Sequence, residues 1–91
     1  MHFNPDGLDH GDITAKIRHV GDYGNVIADD KGFILTTFTD YISKIYGPYG
    51  VLGRTIVLHQ LEDDLGLQNN TGSKTTGNAG ARIACGVIGL F

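Results

Sequence analysis

Apolar positions along this chain come in short runs, each cut off by residues that favour turns. "NVIAD" (25–29) and "FILTTFT" (33–39) are β-prone, and the "DKG" between them predicts a hairpin-like turn joining two strands. "YISKIYG" (41–47) alternates Tyr41, Ser43 and Ile45 against Ile42, Lys44 and Tyr46, the period of a third strand. "GPYG" (47–50) is turn chemistry, because proline fixes φ and the glycines accept unusual backbone angles. "VLGRTIVLHQ" (51–60) predicts a fourth strand, with Gly53 marking a bulge or a close backbone approach. "RIACGVIGLF" (82–91) predicts a last strand with Ile83, Cys85 and Val87 on one face. No segment carries a helical period, although "LEDDLGL" could support one turn. The pattern predicts an all-β fold, an antiparallel sandwich or barrel, with long polar stretches over 2–22 and 61–81. Structureless loops beyond about 12–15 residues are uncommon in compact domains and usually serve a function.

Composition sharpens this picture. Ninety-one residues allow one domain, near the small end of what buries a self-sufficient core. The 14 glycines are about twice average usage and follow no period, which fits many short turns. No apolar run is long enough to cross a membrane. A formal charge of −3, with seven Lys and Arg that form no cluster, argues against nucleic acid as a partner. No basic and apolar leader follows Met1, and the compartment stays open between cytoplasmic, the favoured reading, and extracellular. Asn69-Asn70-Thr71 matches a glycosylation acceptor, a triplet that also arises by chance.

The first polar stretch holds the chemistry. His2, His10, His19 and Asp22 offer three imidazole nitrogens and one carboxylate, in a segment whose glycines (Gly7, Gly11, Gly21) let the chain fold back on itself. That donor set suits tetrahedral zinc, though the spacing is no standard zinc-finger pattern and a solvated polar loop is the alternative. His59 ends an apolar run, where a lone histidine is ordinarily structural or exposed. Asp63 or Asp64 could accept a ring N–H from a metal-bound histidine, or could simply be a capping or solvated pair. Arg82 could attract an anion beside a metal, or be an ordinary surface arginine. Cys85 cannot close a disulfide with another cysteine of these residues; it is either a small buried apolar residue or bonded to a cysteine outside the chain.

Taken in order, "HFNP", "HG" at 10–11, "RHVGDYGN", "GRTIVLH", "DDLG" and above all "KTTGNAGARIACGVIG" resemble the C-terminal part of the copper-zinc superoxide dismutases, from His2 to Gly89. The resemblance implies an eight-stranded Greek-key β-barrel, incomplete here, forming one partial domain over 1–91 with a zinc loop at about 2–22 and an electrostatic loop at about 60–82. It implies that His2 bridges zinc and copper, that His10, His19 and Asp22 complete the zinc ligands, and that His59 is a copper ligand. Asp63 would be the acid linking a zinc histidine to a copper histidine. Arg82 would guide superoxide, Thr76 would narrow the channel, and Cys85 would pair with a cysteine outside the chain. "GVLGR" and "GVIGLF" would belong to a homodimer contact.

The family's other two copper histidines and several early strands have no counterpart in these residues. The expected activity of the parent protein is disproportionation of superoxide to dioxygen and hydrogen peroxide with copper and zinc, a catalytic role carried by His2 and Arg82. The alternative is a non-catalytic zinc-binding or assembly module of the same origin. Lys74, in "NNTGSKTT" where many members carry an acidic pair, is expected to alter the electrostatic steering of an anionic substrate.

Overall fold

The computed structural model describes residues 1–90 and contains three regular elements: strand β1 (Thr55–His59), helix α1 (Thr71–Thr76) and strand β2 (Arg82–Val87). The strands pair antiparallel, with Thr55 opposite Val87, Val57 opposite Cys85 and His59 opposite Arg82. Backbone bonds prolong the pairing at both ends. Gly53 N–H donates to Ile88 O and Ile88 N–H to Arg54 O, both at 2.8 Å, while Gln60 N–H donates to Ala81 O at 2.9 Å. The register slips between Leu58 and His59. The irregularity expected at Gly53 therefore falls at the other end of the strand, and Gly53 (φ +82°) lies in the turn before β1. The strand expected over 51–60 is correspondingly shorter.

The earlier strands do not form. The turn between them does: Asp29 N–H donates to Phe33 O at 2.8 Å, and Asp29 Oδ1 accepts the Lys31 and Phe33 amides at 2.9 and 2.8 Å. Its flanks at 25–29 and 33–39 lack a ladder, since a strand needs a neighbour for its backbone groups and the described residues supply none. The 41–47 run makes one bridge, Lys44 with Gly50, across the "GPYG" turn that Gly50 N–H closes onto Gly47 O at 2.8 Å. Apolar side chains in these runs face solvent, with Ile27 89% and Leu35 101% exposed. A closed barrel is thus not formed by the described residues. Phe91 of the last predicted strand lies outside them.

The one helix falls inside the polar stretch where no helix was expected, and "LEDDLGL" forms only turns and bends. Local chemistry explains α1. Asn70 caps it by accepting the Ser73 amide at 2.8 Å, and Gly77, left-handed at φ 69°, ends it with its N–H on Gly72 O.

Burial concentrates in the first loop and is mostly polar. Val20 and Ala79 are the buried apolar residues, alongside His10, Arg18, His19, Asp22 and Ser73. Arg18 uses all five of its N–H donors: Nε to His19 O, Nη1 to Ile13 O and Asp40 Oδ1, Nη2 to Val20 O and Asp40 Oδ2. It fixes the backbone on both sides of His19 and ties the loop to the 40s segment. Tyr23 adds to that tie by donating its hydroxyl to Ser43 Oγ at 2.9 Å and packing its ring at a tilt against Phe38.

Burial alone would raise the Asp40 carboxyl, but the Arg18 guanidinium and the Ser43 hydroxyl and amide outweigh it and hold the group at about 2. Its folded value lies below the ordinary carboxylate value of about 3.9, so the stability it contributes is complete above that value and is lost as pH falls through about 2. Arg18→Met is expected to destabilise the fold by about 1–3 kcal/mol, because it leaves a part-buried carboxylate without its partner. Asp40→Asn is expected to remove the acid-dependent share. Urea midpoints measured at pH 7 and pH 3 check both, and equal midpoints for Arg18→Met and the parent would show that Asp40 is solvated without its partner.

Candidate metal centre

Gly21 N–H donates to Phe3 O at 3.0 Å, closing the first loop so that His2 returns against the His19–Asp22 turn. That turn is tight, with Asp22 N–H on His19 O at 3.2 Å. Asp22 is almost wholly enclosed, and its two oxygens face different ways. Oδ2 accepts the Gly11 and His19 amides at 3.1 and 2.8 Å. Oδ1 lies 2.9 Å from His2 Nδ1, 2.9 Å from His10 Nδ1 and 3.2 Å from His19 Nδ1. His2 Nδ1 and His19 Nδ1 are 3.1 Å apart. All four donor atoms lie within 4.8 Å of one another.

These distances fit a metal better than a hydrogen-bond network. A tetrahedron with bonds of about 2.0–2.1 Å has edges of about 3.3 Å, close to the separations found here. One carboxylate oxygen cannot satisfy three ring N–H groups at once. His10 Nδ1 is buried and makes no hydrogen bond, although it lies 2.9 Å from Asp22 Oδ1. An orphaned buried nitrogen costs about 1–3 kcal/mol unless something else takes its lone pair. The far side of that ring fixes its tautomer: His10 Nε2–H donates to Asp63 Oδ1 at 2.7 Å, which leaves Nδ1 as a bare lone pair aimed at the cluster.

Protonation favours the same use. Burial lowers the His19 pKa, only partly opposed by Asp22, while the neighbouring imidazoles push it the same way as burial. The ring is therefore neutral at neutral pH. Asp22 stays ionised: burial would raise it, but the His2 contact and the Gly11 and His19 amides bring it to about 2.

The second loop closes over this cluster. Asn25 holds Asp63 from both sides, donating Nδ2–H to Asp63 O at 2.9 Å and accepting the Asp63 amide on Oδ1 at 2.8 Å. Asp64 faces the other way, accepting the Ser73 hydroxyl and the Gly66 amide on Oδ1 and Asn78 Nδ2 on Oδ2. The acidic pair thus divides: Asp63 orients His10, and Asp64 holds α1. Neither Asn25 nor Arg18 could be assigned these roles from sequence, because partners 38 and 22 positions away leave no local mark.

His59 stands beside the cluster, its ring centroid 6.0 Å from that of His2 and nearly perpendicular. It donates Nδ1–H to Gly80 O at 3.0 Å, which leaves Nε2 free to bind a ligand. A cavity of about 520 Å³ is lined by His2, His59, Thr76, Asn78 and Arg82, so four residues singled out from the sequence share one opening. Cys85 is free and exposed among the described residues, which corrects its reading as a buried apolar side chain. Neither face of β2 is covered. Lys74 does not line that cavity, and its ammonium is held by Gly66 O at 2.6 Å.

Three imidazoles and a carboxylate on a folded-back loop, with an acid behind one ring and a fourth histidine alongside, form a group that could hold a metal ion. The family described as copper/zinc superoxide dismutase (SODC) matches residues 1–88, and the chain belongs to it. Over 89 residues it is 56% identical to the extracellular Cu-Zn superoxide dismutase of Drosophila melanogaster, covering 98% of this chain and 49% of that protein. The Cu-Zn superoxide dismutase of Schizosaccharomyces pombe is also 56% identical, with 58% of its length covered. The crystal structure of the clock protein EA4 superposes with a TM-score of 0.95 at 46% identity, over 99% of this chain and 57% of that one. The chain spans about half the length of the curated relatives it matches.

Gly77 is the tightest point where the loops meet. A Cβ there would collide with Asp63 Oδ1 and come within 2.6 Å of His10 Nε2, at a φ of +69° that side chains disfavour. Gly77→Ala is expected to push Asp63 off the His10 ring and loosen both loops. Hydrogen exchange at the His10 and Asp64 amides reads this, and undiminished protection in the variant would show that the loops yield without separating.

Proposed function

We propose that the protein to which these residues belong disproportionates superoxide to dioxygen and hydrogen peroxide at a copper-zinc site. Family membership supports the reaction. The observation that carries it into this chain is the convergence of His2, His10, His19 and Asp22 on one point, with His59 and Arg82 opening onto the adjacent cavity. His2, His10, His19 and Asp22 would hold zinc, and His2 and His59 would contribute to holding copper. Copper supplies the redox chemistry when bound, and zinc, which has none, supplies fixed charge and shape.

The chain's own residues perform the rest. His2 faces the zinc donors through Nδ1 and lies beside His59, so its ring can be shared between metals and can take up or return a proton when it is not. Asp63 holds the His10 tautomer. Arg82, which pairs with His59 across the ladder, brings a permanent cation to the rim, where it attracts a small anion. Thr76 donates its hydroxyl to Gly72 O at 3.2 Å, and the side chain narrows the opening without adding charge. Cys85, exposed on β2, is available to a cysteine elsewhere in the protein.

The barrel reading also belongs here. β1 and β2 would be two neighbours of a Greek-key β-barrel, which would give their uncovered faces a partner. Gly53 and Arg54 of "GVLGR" bond to Ile88, which supports the use of these neighbouring backbones against a second copy in a homodimer.

For the 91 residues taken alone, a second reading has its own support. The zinc donors form a complete set, whereas the cavity holds two imidazoles, which favours a zinc-binding module. The folded chain is expected to bind one zinc, lost in His10→Ala and Asp22→Ala. Metal analysis of purified protein decides this, and full zinc content in both variants would sink the ligand assignment. Supplied with copper, the 91 residues alone are expected to show little dismutase turnover, because two imidazoles retain copper poorly. Activity that survives added chelator would overturn that expectation.

A further inference from the structure

We propose that Lys74 is a positioning residue for the metal centre: its ammonium clamps the second loop onto His10 and sets how slowly zinc leaves. The inference rests on the zinc reading above and adds a residue to it.

Lys74 holds the His10 backbone in two ways. Its carbonyl accepts the His10 amide at 2.8 Å, and its ammonium donates to Gly66 O at 2.6 Å. Gly66 in turn presses on His10. A Cβ at Gly66 would collide with the His10 carbonyl oxygen and lie 3.1 Å from the His10 carbonyl carbon, so the two main chains are in contact and only glycine fits. The left-handed backbone of Gly66, at φ +74°, adds a second reason. Residue 74 thus grips His10 directly at the amide and, through Gly66, at the carbonyl.

Asp63 fixes the orientation of the His10 ring, but a ring is aimed only as well as its own backbone is held. With Nε2 tied to Asp63, a shift of the His10 main chain would carry Nδ1 away from the donors of His2, His19 and Asp22. Lys74 supplies this second constraint. Its charge is free for the task, since no carboxylate pairs with it among the described residues. A charge-assisted hydrogen bond to a carbonyl is stronger than a neutral one and is partly shielded here, because Lys74 is half-buried.

The test measures zinc release from the full chain into a chromogenic chelator at neutral pH. Lys74→Met keeps the aliphatic stem and removes the donor, and is expected to speed release about tenfold, the low end of what lost outer contacts cost a metal site. Lys74→Arg, which keeps a cationic donor, is expected to restore most of the difference. Lys16→Met removes the same charge from an exposed site and is expected to release zinc at the parental rate. Equal release from Lys74→Met and the parent would overturn the proposal while leaving the zinc reading intact, even if the urea midpoint of the zinc-free variant fell. Faster release from Lys16→Met to the same degree would also overturn it, by assigning the effect to overall charge. A parent chain that binds no zinc would overturn both.

Discussion

Asp22 is a carboxylate kept ionised in a nearly closed site, and the first loop is organised around the cost of that burial. An isolated buried carboxylate would protonate or draw in water. Here the Gly11 and His19 amides neutralise one oxygen, while the other is left facing three ring nitrogens. The amides come from turns that bring residues 10, 11, 19 and 22 together, so the acid that needs solvating shapes the loop that solvates it. The remaining charge points at the ring nitrogens of His2, His10 and His19. A divalent cation resolves that arrangement more completely than any rearrangement of protons.

Order spreads outward from this point through polar contacts rather than apolar packing. Arg18 and Asp40 tie the loop to the 40s segment, Asn25 ties it to Asp63, and Asp63 and Asp64 carry the connection onto α1. Arg54 lies 3.5 Å over the Phe3 ring, fastening the start of the chain near the beginning of β1. Such networks are directional, so they set positions closely, but each depends on the others being in place. The large apolar side chains contribute little here. Among the described residues Ile56, Ile83 and Val87 are each more than half exposed, and the sheet serves here to position His59 and Arg82.

The placement of His59 shows what that frame does. The slip in register after Leu58 sets His59 against Arg82, and the Gly80 carbonyl takes its Nδ1 proton. The residue lines the same cavity as His2, Thr76 and Arg82. A strand that kept strict alternation would place this ring by the pleat alone. The irregularity is therefore part of the site.

What could be read from the residues in order was their chemistry and their local punctuation. Three histidines and an aspartate in a glycine-bearing segment are a zinc donor set before anything folds, and "GPYG" and "DKG" are turns because proline and glycine restrict or free the backbone where they stand. The caps of α1 were equally local, an asparagine six residues before Thr76 and a glycine one after it, yet they were overshadowed by the polar composition around them. The remaining features depended on tertiary structure. Val26, Ile34 and Tyr41 have the residue types of strands, but β structure requires a partner backbone, and sequence preference cannot supply one. Arg18 with Asp40, Asn25 with Asp63 and Lys74 with His10 are pairings across 22, 38 and 64 positions (74 minus 10 for the last). Nothing in the order of the residues encodes which of several polar side chains will meet. That depends on which loop closure satisfies the buried groups together, a condition that exists only once the chain has folded.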